Sequence, residues 1–140
     1  MSELLEIKEL EFSYGEVQVL RGLDLVVKAG RIACIMGRNG VGKTTLLRNV
    51  VGLETPNRGS ISLNGEDFTF RPAHERVAVS IGYVPQGRQI FPRLTVEENL
   101  KVGLEAAGKD RTTVPDEVYV LFPILWEMRR RQGGDLSGGQ

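Results

Sequence analysis

The stretch GRNGVGKT, Gly37 to Thr44, constrains the fold of this 140-residue chain more than any other feature. It fits the pattern G-x-x-x-x-G-K-[ST] and lies between an apolar run, Ile32 to Met36, and the helical sequence KTTLLRNVVGL. An apolar run without alternation is typical of a strand buried on both faces of a parallel sheet. A buried strand, a glycine-rich turn and a helix together predict an α/β fold in which the turn binds phosphate.

Each residue type in this stretch suits the binding of phosphate. Glycines let the backbone curl so that successive N–H groups point inward at phosphate oxygens. The helix that begins near Lys43 adds the positive end of its dipole. Lys43 brings a full charge to the β- and γ-phosphates, and the Thr44 hydroxyl can bind Mg²⁺. A glycine-rich turn that contains Lys-Thr by chance is the alternative, but the flanking strand and helix favour a nucleotide-binding P-loop protein.

The chain before and just after this loop is predicted to be rich in strands. LLEIKELEFSYG predicts a strand and a turn, and VQVLRGLDLVVKAG predicts a second strand pair that ends at the turn Ala29-Gly30. TPNRGSISLNGEDF predicts a turn, a strand and a hairpin turn at Asn64-Gly65. IGYVPQ predicts a strand stopped by Pro85. Cys34, within the apolar run, is expected to be a small core residue.

Helices are predicted in four places. The helix after the phosphate loop is expected to have one apolar face, formed by Leu46, Leu47, Val50 and Val51. Gly52 is expected to be its C-terminal cap. PAHERVAVS predicts a short helix opened by Pro72 at its first position. TVEENLKVGLEAAG predicts a helix with a capping box of Thr95 and Glu98. PDEVYVLFPILWEMRRRQ predicts a helix broken near Pro123.

The composition excludes several classes of protein. The 18 basic and 18 acidic residues balance, so nothing suggests nucleic acid as a partner. The start MSELLEIKEL carries early acids and has no apolar core of a signal peptide, and no apolar run approaches the roughly 20 residues of a membrane span. One cysteine rules out an internal disulfide. We therefore expect a soluble, cytosolic, globular protein.

Three further stretches, with GRNGVGKTT, resemble a known family. Tyr14 in FSYG, Gln86 in YVPQ and the final LSGGQ are similar, in order, to the A-loop, the Q-loop and the signature motif of the ATP-binding cassette (ABC) ATPases. The stretch YVPQGRQIFPRLTVEENLKVGL resembles the ATPase subunits of branched-chain amino acid importers and of the related urea importers. The resemblance implies an α/β P-loop NTPase with an N-terminal antiparallel β portion, a partial RecA-like core and a helical subdomain. It makes residues 1–140 one partial ABC ATPase domain, with a β-rich portion and phosphate-loop core at 1–85 and the Q-loop and helical subdomain at 86–140.

The resemblance also assigns roles to residues. Tyr14 would stack on adenine, although an aromatic residue at a strand end is more often a packing residue. Gln86 would reach the Mg²⁺ and the attacking water, although alone it would be a solvated loop residue. Lys43 and Gln86 would be the catalytic residues of this chain, and Thr44 and Gln86 the metal ligands. The nucleotide would be held by Tyr14 and by Gly37, Arg38, Asn39, Gly40, Val41, Gly42, Lys43, Thr44 and Thr45. The loop from Gly87 to Pro92 would face a membrane partner.

The signature motif would act on a neighbouring subunit. Ser137 and Gln140 have the spacing of a capping box, and Gly138 and Gly139 leave backbone N–H groups uncovered at a helix N-terminus. The resemblance implies that Ser137, Gly138, Gly139 and Gln140 bind, in trans, the γ-phosphate held by the other subunit. A glycine-rich loop that starts a helix is the alternative.

In the family, a metal-binding Asp, the general-base Glu and a switch His all follow the signature, so none lies in these 140 residues. Asp135 precedes the signature and cannot substitute. The strand that carries the metal-binding Asp, and the strand after it, would lie between the phosphate-loop strand and IGYVPQ. We therefore expect a fragment of a longer ATPase, with exposed apolar faces, that alone hydrolyses ATP no faster than its Lys43→Ala variant.

The implied function is the ATP-binding subunit of an ABC importer, which uses ATP and Mg²⁺ to drive uptake of a small polar solute such as a branched-chain amino acid or urea. The implied partners are a second ABC ATPase subunit, identical or not, membrane permease subunits and, indirectly, a solute-binding protein, with no nucleic acid. The implied location is the cytoplasmic face of the cell membrane. The alternatives are a non-hydrolysing, truncated nucleotide-binding fragment and a soluble ABC-superfamily ATPase of DNA repair or translation.

Overall fold

The computed structural model describes residues 3–79, 81–87, 89–106 and 113–137. The chain forms two compact units, unit 1 from Met1 to Ile81 and unit 2 from Gly82 to Gln140. Unit 1 holds an antiparallel sheet with two helices, and unit 2 is helical. No helix within the described ranges is long and apolar enough to cross a membrane.

The sheet of unit 1 has four antiparallel strands in the order β2-β1-β3-β4. The strands are β1 (Glu3–Tyr14), β2 (Val17–Lys28), β3 (Arg58–Leu63) and β4 (Glu66–Asp67). The first strand is confirmed, but the predicted second strand pair is wrong, because β2 is one strand of 12 residues. The register is irregular between Ile7 and Leu10 and between Leu10 and Phe12, and Gly22, opposite the second irregularity, has a φ of +65°. β2 therefore absorbs the irregularity locally and continues as one strand.

Two turns in unit 1 follow the sequence. The chain turns at Ala29-Gly30 after β2 and at Asn64-Gly65 between β3 and β4. Asn64 and Gly65 have φ values of +51° and +81°, as a two-residue type I′ hairpin turn requires at both positions. The turn leaves Leu63 paired with Glu66 and Ser62 with Asp67.

The core of unit 1 lies between the sheet and helix α1 (Lys43–Val50). Its buried side chains are Ile7, Leu10, Phe12, Leu20, Leu46 and Ile61. The predicted apolar face of α1 holds at Leu46 and Val51 but is wrong at Leu47, which is 43% exposed. Residues 45, 46, 49 and 50 share one side of a helix, whereas residue 47 lies about 130° from the middle of that side. The polar Asn49 therefore takes the buried position instead of Leu47.

Helix α1 ends in the predicted glycine cap. Gly52 has a φ of +78°, its N–H donates to the Asn49 carbonyl at 3.2 Å, and the Leu53 N–H donates to the Arg48 carbonyl at 2.9 Å. These two bonds are those of a Schellman motif. Helix α2 (Ala73–Ala78) begins one residue later than predicted, since Pro72 is its N-cap and not its first helical residue.

The two predicted buried strands are not strands. Residues 31–38 and 81–85 have no regular secondary structure, and Ile32, Met36 and Val84 are 100%, 86% and 93% exposed. Cys34 is also exposed, so its predicted place in the core is wrong. A strand exists through bonds to neighbouring strands, and in the described part of the chain only β1 to β4 are paired into a sheet. The structure therefore leaves Ile32, Met36 and Val84 exposed, as expected of these two apolar runs.

Unit 2 contains α3 (Val96–Ala106), α4 (Asp116–Leu121), α5 (Pro123–Glu127) and a 3₁₀ turn at Gly133–Asp135. The break near Pro123 is confirmed, because α4 ends before it and α5 begins with it. The capping box is confirmed as well. The Thr95 N–H donates to Glu98 Oε2 at 2.7 Å, and the Glu98 N–H donates to Thr95 Oγ1 at 3.2 Å.

Candidate nucleotide-binding site

The glycine-rich loop of unit 1 leads directly into α1. Gly40 and Gly42 have φ values of +83° and +102°, a region that favours glycine, and Gly42 is the N-cap of the helix. A Cβ atom on Gly42 would lie 3.0 Å from Val19 Cγ1 and 3.1 Å from Leu20 Cδ2. Glycine at this position therefore allows both the backbone turn and its close approach to β2.

Lys43 folds back over the loop that precedes it. Its Nζ donates to the Gly37 carbonyl at 2.7 Å and to the Arg38 carbonyl at 2.6 Å. The first turn of α1 contains no acidic residue, and the first N–H groups of a helix have no partner within that helix. A full positive charge and the positive end of a helix dipole thus occur in the same loop, which is the arrangement that binds phosphate.

The residues beside Lys43 differ in exposure. Arg38, Asn39, Val41 and Thr44 are exposed. Thr45 is only 8% exposed, and its carbonyl accepts a hydrogen bond from Asn49 Nδ2 at 2.9 Å. A contact between Thr45 and a nucleotide would therefore come from its backbone N–H, whereas the Thr44 hydroxyl is open to solvent.

The exposed Thr44 hydroxyl is a side-chain oxygen of the loop that could bind a metal ion. Across the described ranges, no three His, Cys, Asp or Glu side chains lie close enough together to hold a metal ion. Mg²⁺ is commonly bound through one or two protein oxygens, the rest of its shell being substrate phosphates and water. A single hydroxyl beside a phosphate-binding loop fits that donor set.

Tyr14 ends β1 and is 46% exposed. The ring packs edge-on against Phe12, with centroids 4.8 Å apart, and its hydroxyl donates to Glu54 Oε1 at 3.3 Å. Glu54 also pairs with Arg48 of α1 at 2.9 Å. Tyr14 therefore has packing and hydrogen-bond partners of its own, and it still leaves nearly half of its surface open for a base to stack on.

A buried arginine that the sequence analysis does not identify, Arg76, binds the C-terminal end of α1. Arg76 is 1% exposed and donates to the carbonyls of Asn49, Val50, Thr69 and Arg71 at 2.7 to 3.0 Å. Burial lowers the pKa of its guanidinium, and the charge of Asp67 opposes that shift. Because two of the four carbonyls belong to the last turn of α1, Arg76 fixes the helix that follows the phosphate loop. Its partners are backbone atoms, so no residue pattern marks them.

The other predicted site residues belong to unit 2. Gln86 is exposed in an irregular segment after Pro85, and Ser137 is exposed after the 3₁₀ turn. Gly138, Gly139 and Gln140 lie outside the described residues. The structure thus places the residues of the phosphate loop together at the start of α1 in unit 1. The roles of Gln86 and of the signature motif stay predictions.

Comparison with known proteins gives a family match and close relatives. The family model described as ABC transporter matches residues 20–140. The chain is 38% identical over 140 residues to a probable branched-chain amino acid transport ATP-binding protein, LivF, of Archaeoglobus fulgidus, and 39% identical over 138 residues to the high-affinity branched-chain amino acid transport ATP-binding protein BraG of Pseudomonas aeruginosa. It is 36% identical over 140 residues to the Fe(3+) ions import ATP-binding protein FbpC of Yersinia enterocolitica.

These alignments cover 97–98% of the chain. The chain spans 58% and 59% of the lengths of LivF and BraG, and 39% of that of FbpC. Among solved structures, a nucleotide-free ATP-binding cassette of an ABC transporter matches with a TM-score of 0.78 at 27% identity, over 99% of this chain and 60% of that one. The ADP conformation of MJ1267, also an ATP-binding cassette, matches with a TM-score of 0.77 at 27% identity, over 99% and 61%.

Proposed function

The chain belongs to the ABC transporter family of ATP-binding proteins, and we propose that it is the nucleotide-binding part of an importer's ATPase subunit. The whole protein would use ATP binding and hydrolysis to drive the uptake of a small solute. Residues 1–85 would supply the nucleotide-binding portion, and residues 86–140 the helical portion of the same ATPase domain.

The observation that carries this proposal is the phosphate loop at the start of α1. Backbone N–H groups, the helix dipole and the Lys43 ammonium act on the same anion, so they bind a polyphosphate more tightly than a single lysine could. In a loop already bent by Gly40 and Gly42, the binding groups need little rearrangement. Lys43 would also stabilise negative charge that develops on the transferred phosphoryl group.

Adenine recognition and Mg²⁺ binding would complete the site in this chain. Tyr14 would stack on the base, and its hydrogen bond to Glu54 would fix the plane of its ring. The Thr44 hydroxyl and Gln86 would hold the Mg²⁺, which supplies positive charge beside the phosphates. Gln86 would also orient the attacking water.

A second subunit would close the site. We propose that Ser137, Gly138, Gly139 and Gln140 contribute, in trans, to binding the γ-phosphate held by the phosphate loop of the neighbouring subunit. ATP would then be buried between two ATPase subunits. Hydrolysis would depend on this contact, because a phosphate exposed to water gains much less from each donor than one in an enclosed site.

The membrane partner would contact the loop after Gln86. In that loop Ile90 and Phe91 are 41% and 54% exposed, although both are large apolar residues. They fit a surface that a permease subunit covers at the cytoplasmic face of the membrane. A solute-binding protein would act through the permease and would not contact this chain.

We propose a branched-chain amino acid as the transported solute, with urea as the second candidate. LivF and BraG are named for branched-chain amino acid transport, and the YVPQGRQIFPRLTVEENLKVGL stretch resembles both importer groups. The FbpC relative is almost as similar, so sequence identity by itself does not choose the solute. Solute selection in such a system lies with other subunits.

Reconstitution of the whole protein tests the proposal. The whole protein would be assembled with its permease and solute-binding protein in liposomes that contain Mg-ATP, and uptake of labelled leucine, urea, Fe³⁺ and sulfate would be measured. We expect leucine uptake that is lost in the Lys43→Ala variant. Uptake of another solute would correct the solute alone, whereas transport and ATP hydrolysis that do not depend on Lys43 would refute the proposed function.

A further inference from the structure

Two segments of unit 2 that are 40 residues apart in sequence are joined by their backbones. We call residues 89–92 the partner loop and residues 132–137 the signature segment. The Gly134 N–H donates to the Pro92 carbonyl of the partner loop at 3.0 Å, and the Gly133 N–H donates to the Leu94 carbonyl at 2.8 Å. The segment that leads into the signature motif is thus bonded directly to the loop that follows Gln86.

The start of α3 closes on the residues just before the signature segment. The Val96 N–H donates to the Arg131 carbonyl at 2.9 Å, and the Glu97 N–H donates to the Arg129 carbonyl at 3.1 Å. Thr95 forms an isolated antiparallel bridge with Gln132. The Val96 and Glu97 N–H groups at the start of α3 are therefore satisfied by the carbonyls of residues 129 and 131, and this helix end is not open to bind an anion.

Asn99, one turn into α3, holds the partner loop from the other side. Its Oδ1 accepts the Phe91 N–H at 2.8 Å, and its Nδ2 donates to the Phe91 carbonyl at 3.0 Å. The same amide nitrogen lies 2.9 Å from the Thr95 carbonyl and 3.2 Å from the Leu94 carbonyl. An amide side chain that both accepts from and donates to one residue's backbone fixes that residue as a neighbouring strand would.

Gly133 meets Phe91 at the same place. It is buried, and a Cβ atom on it would lie 3.0 Å from Ile90 Cδ1, 3.2 Å from the Phe91 carbonyl oxygen and 3.3 Å from Asn99 Nδ2. The Phe91 backbone is thus held between the Asn99 amide and the Gly133 backbone. The partner loop therefore cannot shift without breaking hydrogen bonds to α3 or to the signature segment.

We propose that Asn99 is a positioning residue that makes the partner loop and the signature segment move as one body, so that force on Ile90 and Phe91 displaces Ser137. This inference rests on the function proposed above, in which the partner loop contacts the permease and Ser137 serves the neighbouring subunit's ATP. Asn99 touches neither nucleotide nor permease. It acts through the backbones of Phe91 and Gly133.

The Asn99→Ala variant of the whole protein, assembled with its permease, tests this role. Thr95→Ala is the matched control, because it removes the capping box from the same helix. Among the described residues, the hydrogen bonds of the Thr95 hydroxyl are to Glu98 and not to the partner loop. We expect Asn99→Ala to lower kcat for ATP at least tenfold while the Kd for a fluorescent ATP analogue stays within twofold. Thr95→Ala should leave both within twofold.

The split between kcat and Kd separates positioning from loss of stability, since partial unfolding would lower kcat and raise the Kd. A kcat for Asn99→Ala within twofold of that for Thr95→Ala would overturn the inference while leaving the proposed function intact. Absence of Lys43-dependent hydrolysis in the unaltered protein would instead count against the proposed function.

Amide hydrogen exchange tests the geometry without any turnover. In Asn99→Ala we expect the amides of Phe91, Gly133 and Gly134 to exchange at least tenfold faster than in Thr95→Ala. Equal exchange in the two variants would show that Asn99 does not hold these segments together, and the inference would fail on that result alone.

Discussion

Replacement of Arg76 by methionine should release the helix that carries the phosphate loop. Met has a similar length and no donor, so Arg76→Met keeps most of the volume and removes all four hydrogen bonds to the carbonyls of Asn49, Val50, Thr69 and Arg71. Arg76 is 1% exposed, so little water is at hand to replace the lost donors. The effect should concentrate at the C-terminal end of α1 and at the segment before α2.

The size of the effect follows from two opposing contributions. A hydrogen bond from a charged donor contributes roughly 1.5–3 kcal/mol to the free energy of unfolding, and Arg76→Met removes such bonds from all four carbonyls at once. Removal of a buried charge recovers several kcal/mol of desolvation cost, so we expect a net loss of about 3–5 kcal/mol. A domain is commonly stable by about 5–15 kcal/mol, so this loss would bring unit 1 close to unfolding.

Amide hydrogen exchange of the whole protein is the assay, because it reports on the amides of α1 individually, whereas the single tryptophan, Trp126, belongs to unit 2. The amides of Leu46, Val51 and Leu53 should exchange about a hundredfold faster or more in Arg76→Met. Arg58→Met is the matched control, since Arg58 is 69% exposed and its ion pairs are 3.7 and 3.8 Å long. Equal protection in the two variants would refute the structural role of Arg76.

Three other predictions concern unit 1. Leu46→Ala should destabilise unit 1 by about 2–5 kcal/mol and Leu47→Ala by less than about 1 kcal/mol, as measured by chemical denaturation followed by circular dichroism. A larger loss of stability for Leu47→Ala than for Leu46→Ala would place the other face of α1 in the core. Hydrogen bonds from the Thr69 hydroxyl and N–H lower the pKa of Asp67 below its ordinary value of 3.8. The stability that this carboxylate contributes is therefore complete above pH 3.8 and is lost as the pH falls through the lowered pKa. Acid titration of the Asp67→Asn variant should lack that part of the loss of stability, and a titration curve equal to that of the unaltered protein would contradict the assignment. Calorimetry should show that Tyr14→Ala weakens ATP binding by about 1–3 kcal/mol and leaves tripolyphosphate binding unchanged. Tyr14→Phe should bind ATP nearly as before. An equal loss of affinity for ATP and for tripolyphosphate in Tyr14→Ala would mean that the ring does not contact the base.

Features that depend on residues close in sequence were predictable. The capping box needs only Thr95 and Glu98, the hairpin turn needs only Asn64 and Gly65, and the helix break needs only Pro123. In each case a few side chains determine the local backbone. The start of α1 at Lys43, directly after the glycine-rich loop, belongs to the same group.

Features that depend on distant partners were not predictable in this way. The apolar run from Ile32 to Met36 has the composition of a buried strand, but strand structure requires neighbours that composition does not specify. Arg76 and Asn99 bind backbone carbonyls, which every residue possesses, so nothing in the sequence identifies their partners. Leu47 was misplaced because four apolar residues in a short helix fit more than one choice of buried face.

The residues of the phosphate loop were identifiable because the chemistry restricts them to few types. Two glycines with positive φ, a lysine and a hydroxyl at fixed spacing can be recognised without knowledge of the rest of the fold. The predicted trans contact of Ser137 differs in kind, since it involves a second subunit. Its assignment depends on the family resemblance of LSGGQ.

Binding of Mg-ATP to the whole protein and to its Lys43→Ala variant tests the central claim most directly. Loss of a charged donor in the phosphate loop should raise the Kd about ten- to a hundredfold, corresponding to roughly 1.5–3 kcal/mol. Lys101→Ala, which removes a partly exposed lysine paired with Glu97 in unit 2, should leave the Kd unchanged. Equal Kd values for the unaltered protein and Lys43→Ala would show that the loop from Gly37 to Thr45 does not bind the phosphates of ATP.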